Sequence, residues 1–195
     1  MFFTLPKKWF FCDPFSKKST IIIYLLDNSV GVILYNKKSI EETLFSNQIS
    51  PLINALKKKK ICFLIHNSSS LARRFCANGV FLSINKLVMK SSVNIKTKDF
   101  NNKFLFATTV HSLKEIRISQ TIKFDFIFIA PVYKTQTHPL IRPINPLGFI
   151  SLSKESNSRV FALGGIDDQN FKRLKNKFLY GFGAISYFIN QLEDQ

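Results

Sequence analysis

Glycine is scarce in this chain, at seven residues in 195, and four of the seven (Gly164, Gly165, Gly181 and Gly183) fall in one short stretch. Cysteine is scarcer. Cys12, Cys62 and Cys76 are odd in number, widely spaced and contain no Cys-x-x-Cys pair, which argues against a disulfide framework or a cysteine zinc site and leaves buried thiols as the expectation. Long apolar runs are missing too: residues 21–26 and 124–132 fall well short of the roughly 18 to 20 residues of a membrane span. The opening MFFTLPKKWFF has no basic region ahead of a clean apolar core and no small-residue cleavage site, so no secretory signal is expected and the cytoplasm is the expected compartment. No repeat and no domain boundary is detectable, and one domain over residues 1–195 is expected.

Acidic residues are also few, 12 against 28 Lys plus Arg, for a formal net charge of +16. Such an excess attracts polyanions without sequence preference, which keeps nucleic acid as an alternative partner. The lysines are dispersed, however, over residues 7–8, 17–18, 37–38, 57–60 and 172–177, and no nucleic-acid motif surrounds them. The abundance of Lys, Phe, Ile and Asn beside so little Gly also fits a genome rich in A and T, which makes part of the charge a codon effect.

What is present is a regular supply of apolar runs, at residues 9–13, 31–35, 61–67, 80–84, 104–110, 124–132, 160–166 and 179–185. Their hydrophobicity is nearly continuous rather than alternating, as strands covered on both faces require, and this points to a parallel sheet. Eight such strands with helices between them, and 46% hydrophobic residues to fill a core, suggest a closed (β/α)8 TIM barrel. The intervening helices are uneven. Ser39-Ile40-Glu41-Glu42 reads as a helix start, which Pro51 should break or restart before residues 52–58. Ser69 or Ser70 should cap a short helix through Ala77, and His111-Ser112 leads into residues 113–118. Residues 19–27 are β-branched and residues 85–102 lack an apolar stripe, so the helices after strands one and four are expected to be short or lost. Residues 133–146, with Pro139, Pro143 and Pro146, read as a long loop on the functional rim.

The glycine-bearing stretch organises the rest. The run from Val160 to Leu163 ends at Gly164-Gly165-Ile166, and Asp167-Asp168 follow as helix-start residues; the next run ends at Ser186. Strand tips carrying Gly-Gly and Gly-x-x-Ser beside helix starts offer backbone N–H groups that suit a phosphate, and in a TIM barrel the phosphate site lies after strands seven and eight. By itself the Gly-Gly pair serves a tight turn equally well. Lys134, Thr135 and Thr137 in the preceding loop can close over an anion held at Gly164, Gly165 and Ser186.

These segments together resemble the thiamine-phosphate synthase and TenI family. The family's Gly-Pro-Val-(aromatic)-x-Thr-x-Thr-Lys loop is similar to residues 130–138, its Pro-Leu-Gly helix start to residues 146–148, and its Ala-(aliphatic)-Gly-Gly-Ile to residues 162–166. Ile185-Ser186 resembles its last strand end and Phe11-Cys12-Asp13-Pro14 its opening Thr-Asp-Pro strand. Ser70-Leu71-Ala72 with residues 78–82 resembles its Leu-Ala to Ala-Asp-Gly-Val-His-Leu segment, and residues 109–113 its Ser-x-His-Ser-Leu. The resemblance implies a TIM barrel that holds a thiazole phosphate or thiamine phosphate as its small-molecule partner, with phosphate contacts from Thr135, Thr137, Gly164, Gly165 and Ser186.

Departures from the pattern bear on the reaction. The synthase couples a pyrimidine diphosphate to the thiazole phosphate using Mg2+ held by two Asp residues. The matching positions here are Asn67, after His66, and Lys86; a neutral amide and a cation suit Mg2+ poorly. Residues 33–37 keep only Lys37 of the family's Gln-x-Arg-x-Lys, and the loop lysine is His138. Coupling is therefore doubtful, and no metal ligand is assigned. The TenI branch implies instead a proton shift on the thiazole by the histidine of the Ser-x-His motif, here His111, an imidazole able to take up and return a proton near neutral pH. Synthases also carry a histidine there, so its presence does not separate the two. Thr109, His66, Asn67, Lys86 and His138 are further candidate rim contacts, and a non-catalytic phosphate-ligand binder is the third reading.

Overall fold

The structure is a computed structural model, in which residues 4–37, 39–84, 104–135, 140–174 and 176–193 are described. Eight parallel strands close into a barrel in chain order. They are β1 (Lys8–Cys12), β2 (Val30–Leu34), β3 (Phe63–His66), β4 (Gly79–Phe81), β5 (Leu105–Val110), β6 (Phe126–Ile129), β7 (Arg159–Leu163) and β8 (Leu179–Ala184). Every one of the eight apolar runs holds a strand. Seven helices are described: α1 (Lys17–Leu25), α2 (Glu42–Lys58), α3 (Ser69–Arg74), α4 (Leu113–Ile122), α5 (Asn145–Lys154), α6 (Asp168–Leu174) and α7 (Ser186–Glu193). Among the described residues, no helix is long and apolar enough to cross a membrane.

The strands are apolar on both faces because two cores share them. Outward-facing residues such as Phe10, Val32, Ile65 and Ile127 pack with Phe45, Ile49, Leu56 and Phe149 of the helices. Inward-facing residues fill the barrel with rings: Trp9, Phe126 and Phe161 towards the N-terminal end, then Phe11, Phe81 and Phe128 towards the C-terminal end. Neighbouring rings meet at 5.0 to 6.1 Å between centroids, for example Phe11–Phe128 at 5.0 Å and Phe81–Phe128 at 6.1 Å, the tilted and edge-on spacing their quadrupoles favour. Gly31 and Gly183 leave room for this filling, because a Cβ there would meet the Trp9 ring at 2.6 Å and the Phe11 ring at 2.7 Å. Side chains fill the barrel interior among the described residues, and a cavity opens at its C-terminal mouth.

Several helix expectations need correction. Pro51 does not break its helix: α2 runs unbroken from Glu42 to Lys58. Pro51 and Asn47, whose carbonyl loses its partner, both lie on the exposed face, where water serves the carbonyl while Phe45, Ile49, Leu52, Ile53 and Leu56 stay buried on the other side. Ser39 is not the cap. Its φ of 51° lies outside helical geometry, and the Asn36 side chain holds Ile40 in a turn by bonding its N–H at 2.8 Å and its carbonyl at 2.7 Å. Ser68, one residue before the expected caps, opens α3 by accepting the Leu71 N–H at 3.1 Å, and that helix ends at Arg74 rather than at Ala77. The helix after β1 is kept and is short, as expected, at nine residues capped by Ser16; burial of Ile22 and Ile23 offsets the weak intrinsic preference of its β-branched residues. The expectation for residues 85–102 falls outside the described residues.

Candidate functional site

The tips of β7 and β8 are neighbours, with Leu163 in register with Gly183. Beyond Leu163 the backbone turns through Gly164 at φ 92° and Gly165 at φ 64°, a conformation that a side chain makes costly. Space is equally tight. A Cβ on Gly164 would meet Pro131 at 2.8 Å, and one on Gly165 would meet the Lys134 carbonyl oxygen at 2.5 Å. The loop after β6 can lie directly on the β7 tip for this reason. Val132 N–H donates to the Leu163 carbonyl at 3.0 Å and Tyr133 N–H to the Gly164 carbonyl at 3.1 Å, while Ile144 and Asn145 N–H return to the carbonyls of Pro131 and Val132 at 2.8 and 3.2 Å. Both ends of the loop are thus pinned. Past the glycines, Asp167 caps α6 by accepting the N–H groups of Gln169 and Asn170 at 2.9 and 2.8 Å. The Asn170 amide in turn donates to the Gly165 carbonyl at 2.7 Å.

At the C-terminal mouth a cavity of about 380 Å3 opens between these tips and the ends of β1, β2, β4, β5 and β6. Its lower surface is made by Phe11, Phe81 and Leu163, and its sides by Tyr35, Ser83, Thr109, His111, Thr135, Gly164 and Ile185 among others. No lysine, arginine, aspartate or glutamate is among the described residues that line it. The volume lies in the range of pockets that enclose a small ligand, roughly 300–1,000 Å3.

His111, just beyond β5, is the cavity's titratable group with a fixed orientation. Its Nδ1 lies 2.6 Å from the Ala130 carbonyl oxygen. A carbonyl only accepts, so Nδ1 carries a hydrogen and the neutral ring keeps Nε2 as a proton acceptor. Its backbone N–H donates to the Glu115 carboxylate at 2.6 Å, and Ser112 caps α4 on the Glu115 N–H at 3.3 Å, a capping box shifted by one residue. The histidine therefore sits at a braced strand-to-helix corner.

The β2–β4 side of the mouth is closed by aromatic and amide groups. The half-buried Tyr35 ring lies over His66 at 4.3 Å between centroids, and burial pushes the Tyr35 phenol upward. His66 Nε2 is 3.1 Å from the Ser83 hydroxyl. Asn67 donates to that hydroxyl at 3.0 Å and accepts the Ser83 N–H at 2.7 Å. The amide oxygen that could have offered itself to Mg2+ is committed to a backbone N–H, and no cluster of three metal-ligating side chains exists among the described residues. These residues do not fit a magnesium site.

Thr109, His111, Thr135 and Gly164 are thus brought to one cavity. Gly165, exposed, lies one step beyond the lining and under the loop, and Ser186, half-buried, opens α7 next to the lining residue Ile185. His66 and Asn67 stand behind Tyr35 and Ser83 rather than in the lining. Lys37 is exposed in the turn after β2, its N–H bonded to the Tyr35 carbonyl at 3.0 Å, and does not line the cavity. Lys86, Thr137 and His138 lie outside the described residues. Sequence reasoning missed Phe11, Tyr35, Phe81 and Ser83 as lining groups. Inward-facing parity with Trp9, counted in twos along β1, was the signal available for Phe11.

Residues 15–187 match the family model described as thiamine monophosphate synthase. A candidate second thiamine-phosphate synthase of Aquifex aeolicus is 27% identical over 165 residues, covering 85% of this chain and 86% of that protein. The thiamine-phosphate synthase of Fusobacterium nucleatum is 21% identical, with 85% and 79% covered. Against two thiamine-phosphate synthases of Prochlorococcus marinus the chain spans about half of the relative's length, 43% in one and 50% in the other. The fold matches thiamine phosphate pyrophosphorylase from Pyrococcus furiosus with a TM-score of 0.69 at 15% identity, over 96% of this chain and 95% of that one. With the family model matched over most of its length and an eight-stranded barrel beneath it, the chain belongs to the thiamine monophosphate synthase family.

Proposed function

We propose that this protein binds a thiazole phosphate in the cavity at the barrel mouth, with the phosphate at the backbone of Gly164, Gly165 and Ser186 beside Thr135, and that it serves thiamine biosynthesis in the cytoplasm. The observation that carries this reading is the pair of adjacent tips: a left-handed Gly-Gly turn directly after Leu163 of β7, which is in register with Gly183 near the end of β8. Backbone N–H groups at strand tips beside helix starts suit a dianion, and the apolar floor suits a flat uncharged ring. Calorimetry with thiazole phosphate and with the unphosphorylated thiazole alcohol tests it. The phosphate form is expected to bind at least about tenfold tighter, the worth of one charge-assisted hydrogen bond; equal affinities would overturn the reading.

A second reading concerns chemistry, and the Nδ1 contact of His111 with Ala130 favours it. With Nε2 as acceptor at the cavity wall, His111 takes a proton from a carbon acid and returns it at a neighbouring position, the tautomerase chemistry of the TenI branch. Solvent deuterium exchange into a thiazole carboxylate phosphate is expected with the parent protein and not with His111→Ala. Coupling to a pyrimidine diphosphate is not proposed, because the described lining holds no carboxylate for Mg2+ and no fixed cation for a diphosphate. No diphosphate release is expected when both substrates and Mg2+ are supplied.

A further inference from the structure

One polar cluster plays no part in the cavity. It lies on the outside of the barrel, where β8 meets β1. Lys8 begins β1 in register with Phe182 of β8, and its side chain crosses the Phe182 ring, with Nζ 5.5 Å from the centroid. The ammonium ends between the first turns of α6 and α7. It donates to Asp168 Oδ1 at 3.1 Å and to the Tyr187 hydroxyl at 2.8 Å, and that hydroxyl donates to Asp168 Oδ2 at 2.7 Å. All three sides of the triangle are made.

The two helix starts so joined are those that follow the two tips. Asp168 is three residues past Gly165, and Tyr187 directly follows Ser186. The link back to the glycine is itself hydrogen-bonded: Asp167 N–H donates to the Asn170 side-chain oxygen at 2.9 Å, and the same amide donates to the Gly165 carbonyl at 2.7 Å. We infer that Lys8, Asp168 and Tyr187 are positioning residues that fix the separation of the β7 and β8 tips, and so set the preference for a phosphorylated over an unphosphorylated ligand. The effect on ligand preference rests on the thiazole phosphate reading above; the fixing of the tips does not. A dianion shared between two backbone elements needs both within hydrogen-bond reach at once, and small displacements weaken both contacts. Lys8 reaches both helix starts from a strand that belongs to neither, so it can hold them against each other.

Two measurements test this on Lys8→Met, which keeps the stem and removes the ammonium, and on Tyr187→Phe. In the ligand-free protein, hydrogen exchange at the Tyr133, Phe171 and Ile189 amides, which bond the Gly164, Asp167 and Ile185 carbonyls at the two tips and helix starts, is expected to quicken about tenfold or more while amides in β3 to β5 keep their rates. In calorimetry, the ratio of affinities for thiazole phosphate and thiazole alcohol is expected to fall about tenfold, with Lys8→Arg restoring it. A role in closing the barrel seam alone would lower the thermal midpoint, quicken exchange throughout and leave the ratio unmoved, and that outcome overturns the inference. Should the parent protein show no preference for the phosphate, the binding reading fails, and the exchange rates at the three amides still decide whether the cluster fixes the tips.

Discussion

At the scale of single residues, Gly165 carries two demands at once, a left-handed backbone and a gap for the Lys134 carbonyl. Gly165→Ala is expected to destabilise the fold by about 1–3 kcal/mol, the range for a side chain in left-handed backbone, and to weaken thiazole phosphate binding; urea denaturation and calorimetry check the two effects. The thiols sort by burial. Cys12 and Cys62 are buried and Cys76 is exposed. Burial pushes the Cys62 thiol up to about 12 and the Cys12 thiol higher still, so near pH 8 neither holds thiolate. A chromogenic disulfide reagent is expected to titrate one thiol quickly in the native protein and three after unfolding. Much of the cavity was legible at this scale, because Thr109, His111, Thr135 and Gly164 sit at strand ends or in motif positions that sequence alone marks. Tyr35 was harder to see. It stands where the family has an arginine, and nothing in the sequence shows a ring turned inward and stacked on His66.

At the scale of elements, burial decides where local preference hesitates. α2 tolerates Pro51 because one face of the helix is locked under the barrel while the proline faces water. Pro51→Ala restores a backbone N–H for the Asn47 carbonyl without touching the core, and is expected to raise stability by about 1–3 kcal/mol, up to the usual cost of an interior proline; the denaturant midpoint should rise at constant slope. The strands were legible because each is short, apolar and bounded by polar residues. Their ends were read one to three residues too far in places, as at residues 61–67 against Phe63–His66, since apolar residues continue past the last ladder bond into the loops. Helix starts were less legible. Ser39, Ser69 and Ser70 all look like caps in sequence, and the choice of Ser68 is made by packing: its hydroxyl also donates to Glu42 of α2 at 2.7 Å, a contact 26 residues away in the chain.

For the whole molecule, stability is tied to pH through the network at the β1–β8 seam. Burial alone would lower the Lys8 ammonium, but its bonds to Tyr187 and Asp168 outweigh this and hold it above its ordinary value. Burial alone would raise the Asp168 carboxyl, and the Tyr187 hydroxyl and Lys8 outweigh this and hold it below the carboxylate range. A raised lysine contributes stability that is full below its unfolded value of about 10.4 and is lost as pH rises through the folded value. A depressed aspartate contributes stability that is full above about 3.9 and is lost as pH falls through the folded value. The stability difference between the parent protein and Lys8→Met is therefore expected to be flat across neutral pH and to shrink at both extremes, as denaturant titrations at several pH values would show. With the two side chains 40% and 53% exposed, the difference should be small and should decline with salt.

The same seam sets an order on biosynthesis. Phe182 N–H donates to the Lys7 carbonyl at 2.8 Å, and Gly181 passes so close to that carbonyl that no Cβ fits. β1 leaves the ribosome before β8 and thus waits for it while the six strands between them are made. Until β8 is released, the nascent sheet keeps an unsealed margin along Lys8–Phe10 that another nascent chain can add to. Added chaperones should therefore raise the yield of this protein.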